Sequence, residues 1–288
     1  MGPILFVIYV NDLPANIQTE SCEPYMYADD LAVNINLNDQ EKIEATLNNL
    51  NYIVSEWCKA NYLSLNLNKV NDIQFCLSRT SNNNDSTKFL GVFFESSLGW
   101  TNHVNYIAKK VSSGIYMLSI LRNCVSMDTL ITAYYGFIFS HLNYGILLWG
   151  NHSCTQKLLV LQKKAVRIIC GADFREHCKP LFTGTGILTL PCMFVLACLL
   201  YVRKNMENYK VCSDIHSYCT RYNNNIYVKK CKFSSTQNSF ENIALRLYNR
   251  LPHNWRTLSI PAFKRTVRTH LVLNPMYSVA EFLNFNFA

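Results

Sequence analysis

The chain has 288 residues, 49% of them apolar, with 12 Cys and a formal net charge of +8. That length and composition allow one large or two modest domains with a sizeable buried core, and they argue against an intrinsically disordered chain. The charge is divided unevenly. Residues 1–99 carry 5 Lys and Arg against 12 Asp and Glu, a net of −7, whereas residues 100–288 carry 22 against 7, a net of +15. A basic half of this kind either follows a phosphate backbone or simply keeps helices in solution.

Composition also bounds the chemistry. The cysteines include no Cys-x-x-Cys pair and no Cys/His quartet at zinc spacing, so they read as reduced, mostly buried thiols of a cytoplasmic or nuclear protein. The first residues lack a basic region and a small-residue cleavage site, and Phe6 stands where a myristoylation signal needs Ser or Thr. The most apolar stretch, 187–202, contains Pro191 and is shorter than the about 20 residues of a bilayer span, so it reads as a buried helix. No secretion and no membrane segment are expected, and no repeat is evident.

In chain order, Ile4 to Val10 is apolar but too short and uniform to assign by periodicity, and it ends at Asn11-Asp12-Leu13-Pro14, a turn and stop. Tyr25-Met26-Tyr27 and Leu31 to Ile35 are strand candidates flanking Ala28-Asp29-Asp30, so a β-hairpin with the carboxylates at its tip is expected. Ile43, Leu47, Leu50, Val54 and Trp57 recur at helical spacing, with Asn38 or Asp39 as cap and Asn61 as stop. This helix should cover one face of the hairpin. Leu63, Leu65 and Leu67 alternate with polar residues in a strand pattern that leads to Lys69, and Ile73, Phe75 and Leu77 continue similarly. Residues 81–86 are a loop by composition, and 89–94 the next strand.

From Trp100 the period becomes helical, through Val104, Ile107, Val111, Ile115, Leu118 and Leu121. Residues 128–142 and 156–170 continue so, the latter ending at Gly171 as helices commonly do. The expected class is α+β, with a boundary near Gly99 between a partial sheet-and-helix domain, 1–99, and a mainly helical region, 100–288. Residues 223–225 and 234–239 read as polar loops.

The Asp29-Asp30 pair carries the chemistry. Ionised carboxylates offer only hard oxygen acceptors, which suit Mg²⁺, and two adjacent like charges are tolerated best beside a cation or open water. Taken alone, such a pair is more often an exposed turn.

Several segments in order make it specific. Gly2 to Pro14, Tyr27-Ala28-Asp29-Asp30, Trp57, Asn61 to Asn66 with Lys69, and Phe89-Leu90-Gly91-Val92 followed by Leu98, Trp100 and His103 resemble the reverse transcriptases of non-LTR, LINE-type retrotransposons, especially jockey-like ones. The likeness continues through Leu161-Gln162-Lys163-Lys164-Ala165-Val166-Arg167, Cys178 to Phe182, His216 to Arg221 and Tyr248 to Pro252.

The resemblance implies a polymerase palm with Ile4–Val10 helical beneath the catalytic sheet, followed by a helical thumb and C-terminal region. It implies Mg²⁺ held by Asp29 as principal and Asp30 as secondary ligand. Lys69 would hold or protonate the pyrophosphate leaving group, although Val70 stands where Thr is usual. Nucleic-acid contacts would come from Tyr27 and Ala28, from the hairpin Phe89-Leu90-Gly91, and from Lys163, Lys164 and Arg167. The partners implied are an RNA template, a DNA primer and deoxynucleoside triphosphates, with no protein partner. Family members also carry fingers and a further aspartate-bearing strand, which these residues do not contain, so the expectation is an RNA-directed DNA polymerase piece inactive by itself. The alternative is a non-catalytic nucleic-acid-binding module built on the basic helical part.

Overall fold

In the computed structural model the described residues are 1–75, 86–215 and 223–287. They form two compact units, Met1–Gln74 and Phe75–Ala288.

The first unit opens with helix α1 (Gly2–Tyr9), started by Pro3, and helix α2 (Leu13–Ile17), started by Pro14. Strands β1 (Cys22–Tyr27) and β2 (Asp30–Ile35) pair antiparallel, and helix α3 (Gln40–Ala60) follows. Pleating sends Cys22, Met26, Leu31, Val33 and Ile35 to one face, where Leu13 and Ile17 of α2 and Leu50, Ile53, Val54 and Trp57 of α3 meet them. The Asp39 side chain caps α3 by accepting from Glu41 N at 3.2 Å, and Asn61 closes its far end.

The apolar opening segment is helical, as the resemblance implied, but its packing differs. None of the α1 residues is buried, Ile4 and Ile8 keeping 69% and 68% of their surface exposed, and only Val10 just beyond the helix is buried. The place against β1 and α3 is taken by α2 instead. What fixes α1 is polar: the Tyr9 hydroxyl donates to Asn61 O, and the Trp57 indole N–H donates to Asp12 Oδ2 at 3.2 Å.

The strand expected over Leu63–Leu67 is also absent. Leu63 and Leu65 are half-buried and Ser64 and Asn66 exposed, as the alternation requires, but the segment pairs with neither strand of the β1–β2 sheet. Asn66 instead accepts from Asn68 N and starts a 3₁₀ turn over Leu67–Lys69, the local competition that Asn side chains pose to ladder bonds. Ile73 and Phe75 are irregular, and Leu77 lies outside the described residues.

The second unit begins with a hairpin, β3 (Ser86–Phe89) and β4 (Val92–Glu95). Its β4 packs on helix α4 (Thr101–Leu121), and Val92 joins the helical core. This is why the division between the compact units falls before the hairpin.

Beyond α4 run α5 (Met127–Tyr134), a π-helical turn (Tyr135–Phe139), α6 (Ser140–Asn143) and α7 (Ile146–Trp149). Gly114 lets α4 approach the π turn, since a Cβ there would stand 2.9 Å from Ile138 Cγ1 and 3.0 Å from Phe137 O. Then come α8 (Gln156–Cys170), ended by Gly171 at φ +67°, α9 (Cys178–Thr185) and α10 (Leu190–Lys204). Short α11 (Ser234–Gln237), α12 (Phe240–Asn249), α13 (His253–Arg256), α14 (Ile260–Leu273) and α15 (Val279–Leu283) complete it.

Helix α10, the apolar 187–202 stretch, is the axis of this unit. It packs against α7, α12, α14 and α15, with Cys192, Phe194, Cys198 and Leu199 fully buried. Thr189 caps it, and the buried Gln162 accepts from Leu190 N at 2.8 Å while donating to Tyr134 Oη and Leu188 O. All of the polar groups of that amide are thus satisfied inside the core. Among the described residues no single helix is long and apolar enough to cross a membrane. The α+β class expected from the sequence is what the chain adopts.

Candidate catalytic hairpin and nucleic-acid interface

The β1–β2 hairpin closes through two residues, Ala28 and Asp29, with Tyr27 paired to Asp30 across its end. Two-residue hairpin turns need positive φ at the first turn position, and Ala28 supplies it at φ +54°. For a residue with a Cβ that conformation costs about 1–2 kcal/mol, a strain of the sort that collects at functional sites. Asp29 therefore stands at the apex. Asp30 begins β2 and shares the outward face with Tyr27, Tyr25, Ala32 and Asn34, opposite the face covered by α2 and α3.

This outward face is open and partly aromatic. Tyr27 is 68% exposed, and both carboxylates are exposed. Tyr25 has its hydroxyl pushed up by hydrogen bonding to, and the charge of, the neighbouring Glu23 carboxylate. Among the described residues no Lys, Arg or His pairs with Asp29 or Asp30. Two unneutralised carboxylates on an exposed apex are a fitting oxygen-donor pair for a hard divalent cation. They are not a complete cage, because among the described residues no three acidic, His or Cys side chains gather into a metal-holding group.

Lys69 ends the exposed 3₁₀ turn of the same unit, and no hydrogen bond or ion pair among the described residues joins it to the hairpin apex.

In the second unit, Phe89 ends β3 and the turn Leu90-Gly91 has φ +45° and +80°. Gly is required at the latter position, and Leu90 is held there by a partner: the Tyr144 hydroxyl donates to Leu90 O at 2.6 Å while its ring lies over Gly91. Behind the hairpin, His103 is buried between Trp100 and Trp149, and its Nδ1 accepts from Phe93 N at 3.3 Å. Burial lowers the pKa of that imidazole, which keeps the accepting, neutral form. The Glu95 carboxylate accepts from Asn102 N, fixing β4 to the start of α4. Trp100 and His103 are thus the packing that sets the hairpin.

The α8 cations divide. Lys164 is exposed. Arg167 donates through Nε and Nη2 to Glu176 O at 3.0 and 2.8 Å, and Lys163 Nζ lies 3.5 Å from the centroid of the Tyr277 ring. Burial lowers the Lys163 pKa and pushes the Tyr277 hydroxyl up to about 12. Two of the three expected phosphate contacts are therefore engaged within the fold. The segment His216 to Arg221 lies outside the described residues.

Sequence reasoning missed three features here. The Asp12–Trp57 bond joins two motif segments that pattern reading treats separately, and only their recurrence together hints at it. Tyr144 carries no motif signal. The pair Tyr106 and Lys110, four apart on α4, is legible as a helix-surface contact but not as a neighbour of Lys88.

Comparison with known proteins accords with this geometry. Residues 1–94, which contain the first hairpin and all but the last residue of the second, match the family described as reverse transcriptase (RNA-dependent DNA polymerase). Over 192 residues the chain is 23% identical to a protein of Drosophila melanogaster named "Probable RNA-directed DNA polymerase from transposon X-element". That match covers 60% of this chain and spans about a fifth, 21%, of the relative's length. No solved structure matches. Residues 1–94 are thus similar to reverse transcriptases, and a longer stretch is similar to a polymerase named for a transposon. Reverse transcriptases use divalent metal ions, nucleic-acid templates and nucleotide substrates.

Proposed function

We propose that this chain supplies the hairpin half of the metal site and the adjoining nucleic-acid contacts of an RNA-directed DNA polymerase. The observation that supports it is the apex itself: Asp29 and Asp30 stand exposed, unpaired among the described residues, with Asp30 on the face of β1–β2 opposite α2 and α3. Asp29, at the apex, is the principal ligand and Asp30 the secondary one. A divalent ion bound there would supply charge neutralisation for phosphoryl transfer and lower the pKa of a primer hydroxyl.

The chain's own groups do the positioning. Strained Ala28 brings backbone, with only a methyl group, to the apex, and Tyr27 offers an aromatic surface to the template-primer. Phe89, Leu90 and Gly91 form a second close-approach hairpin on the other unit, and Lys69 is a cation for the leaving group. Lys164 remains free for phosphate, whereas Lys163 and Arg167 act on Tyr277 and Glu176 first. In this reading residues 1–99 are palm and 100–288 thumb and C-terminal region, with an RNA template, a DNA primer and deoxynucleoside triphosphates as partners, in the cytoplasm or nucleus.

Two adjacent carboxylates leave a two-ion site underliganded, so these 288 residues by themselves should bind a template-primer yet not extend it. A primer-extension assay on an RNA template with Mg²⁺ tests both parts. Absence of product with retained binding is expected. Product that vanishes in Asp29→Ala would show the site complete, and product that survives Asp29→Ala would remove Asp29 from the mechanism.

A second reading, a non-catalytic nucleic-acid-binding module, is favoured by the +15 of residues 100–288. It requires only that affinity fall steeply with added salt.

A further inference from the structure

Among the described residues of the second unit, two places bring a pair of lysines to one tyrosine ring, and they differ in one respect. At Tyr277, Lys163 Nζ lies 3.5 Å and Lys179 Nζ 5.1 Å from the ring centroid, and Lys179 is ion-paired to Glu281 at 3.3 Å. The charge there is partly neutralised by the protein. At Tyr106, Lys88 Nζ lies 5.2 Å and Lys110 Nζ 5.8 Å from the centroid. No carboxylate among the described residues pairs with either lysine.

The Tyr106 cluster is built by two elements. Lys88 in β3 stands directly across from Phe93 in β4, and its Nζ is also 5.6 Å from the Phe93 ring. Phe93 in turn packs against Tyr106 at 5.2 Å between centroids, and Lys110 reaches the same tyrosine from one turn further along α4. Both lysines are exposed and both rings half-buried, so the rings hold the flexible stems in place while the ammonium heads face solvent. Two like charges beside one ring make the patch locally positive, which favours an anion. The cluster adjoins the Phe89–Val92 turn, where Gly91 permits close backbone approach.

We propose that Lys88 and Lys110, organised by Tyr106 and Phe93, form a binding site for the phosphate groups of a nucleic-acid backbone. This rests on the nucleic-acid reading above and adds a site on which that reading does not depend.

The test is fluorescence anisotropy of a labelled DNA primer annealed to an RNA template, titrated with the 288-residue chain across a series of KCl concentrations. Lys88→Gln/Lys110→Gln is expected to weaken binding about tenfold at moderate salt and to reduce the slope of log affinity against log salt by about 1.8, the value for two lost duplex phosphate contacts. Lys204→Gln/Lys264→Gln removes equal charge from α10 and α14 and should leave the slope near that of the parent. Tyr106→Leu should weaken binding several-fold while keeping the slope, because the charges remain but lose their organiser. If the parent binds steeply and the Lys88/Lys110 variant is unchanged, or the control pair loses as much, this site is overturned while the nucleic-acid reading stands. If the parent binds no template-primer, both fall. Displacement of the duplex by inorganic phosphate at equal phosphate concentration would make it a free-anion site and overturn the backbone assignment.

Discussion

The two compact units differ in what they bury: the one that bears the proposed metal site has the smaller core. Met1–Gln74 carries the carboxylate apex, yet its buried hydrophobic cluster consists of Leu13, Ile17, Cys22 and Leu50, and helix α1 buries nothing. Phe75–Ala288 has a continuous core that runs from Val92 to Phe282, with polar residues such as Gln162 and Thr189 fully satisfied inside it. A small hydrophobic cluster beneath a strained turn is a poor store of free energy, whereas a many-helix core around α10 is a good one. The proposed metal site thus sits on the less self-sufficient part.

The largest effect that would sharpen this contrast is in the core. Phe194→Ala, at a fully buried position on α10, should cost about 3–5 kcal/mol and lower the melting temperature of the helical unit. Leu50→Ala should cost about 2 kcal/mol, at the low end for a leucine because the site lies close to solvent. Thermal unfolding followed separately by Trp57 and Trp149 fluorescence, in single-tryptophan backgrounds, should show the first unit responding to Leu50→Ala alone and the second to Phe194→Ala alone. One joint transition shifted equally by both would break the comparison.

A smaller effect is the pH dependence of the second unit. Burial lowers the pKa of both His103 and His270, and each has an Nε2 with no partner among the described residues. A folded pKa below the ordinary histidine value means that the unfolded chain binds more protons in the window between the two. Their stabilising contribution is therefore fully present above about pH 6.5 and is lost as the pH falls from there through the folded values. The helical unit should melt lower at mildly acidic than at neutral pH, and His103→Asn should flatten part of that slope while lowering stability overall. An acid limb unchanged in His103→Asn would show that His103 is not among its causes.

Much of this was legible in the chain. Alternation around Asp29 gave the hairpin, Asp39 and Asn61 bounded α3, and Gly171 ended α8, because each depends on residues within a few positions of one another. The failures share a cause, since each depends on a distant partner. Leu63, Leu65 and Leu67 have strand spacing but no third strand to join, and Asn66 diverts the backbone locally. The Phe89 hairpin reads as part of the sheet domain, but Val92 and Phe94 pack with the helices that follow. Of the α8 cations, Lys163 and Arg167 looked free because Tyr277 and the Glu176 carbonyl come later in the chain. Lys88 and Lys110 showed no joint signal because Tyr106 brings them together only in three dimensions.

The claim on which the account turns is that the hairpin apex holds a divalent cation. Mn²⁺, a paramagnetic substitute for Mg²⁺, broadens NMR signals close to where it binds, so titration of the isotope-labelled chain with a trace of Mn²⁺ reads the place directly. The amides of Ala28, Asp29 and Asp30 should broaden first, and Asp29→Asn/Asp30→Asn should abolish that broadening. Broadening that begins elsewhere, or that persists at the apex in the double variant, would contradict it.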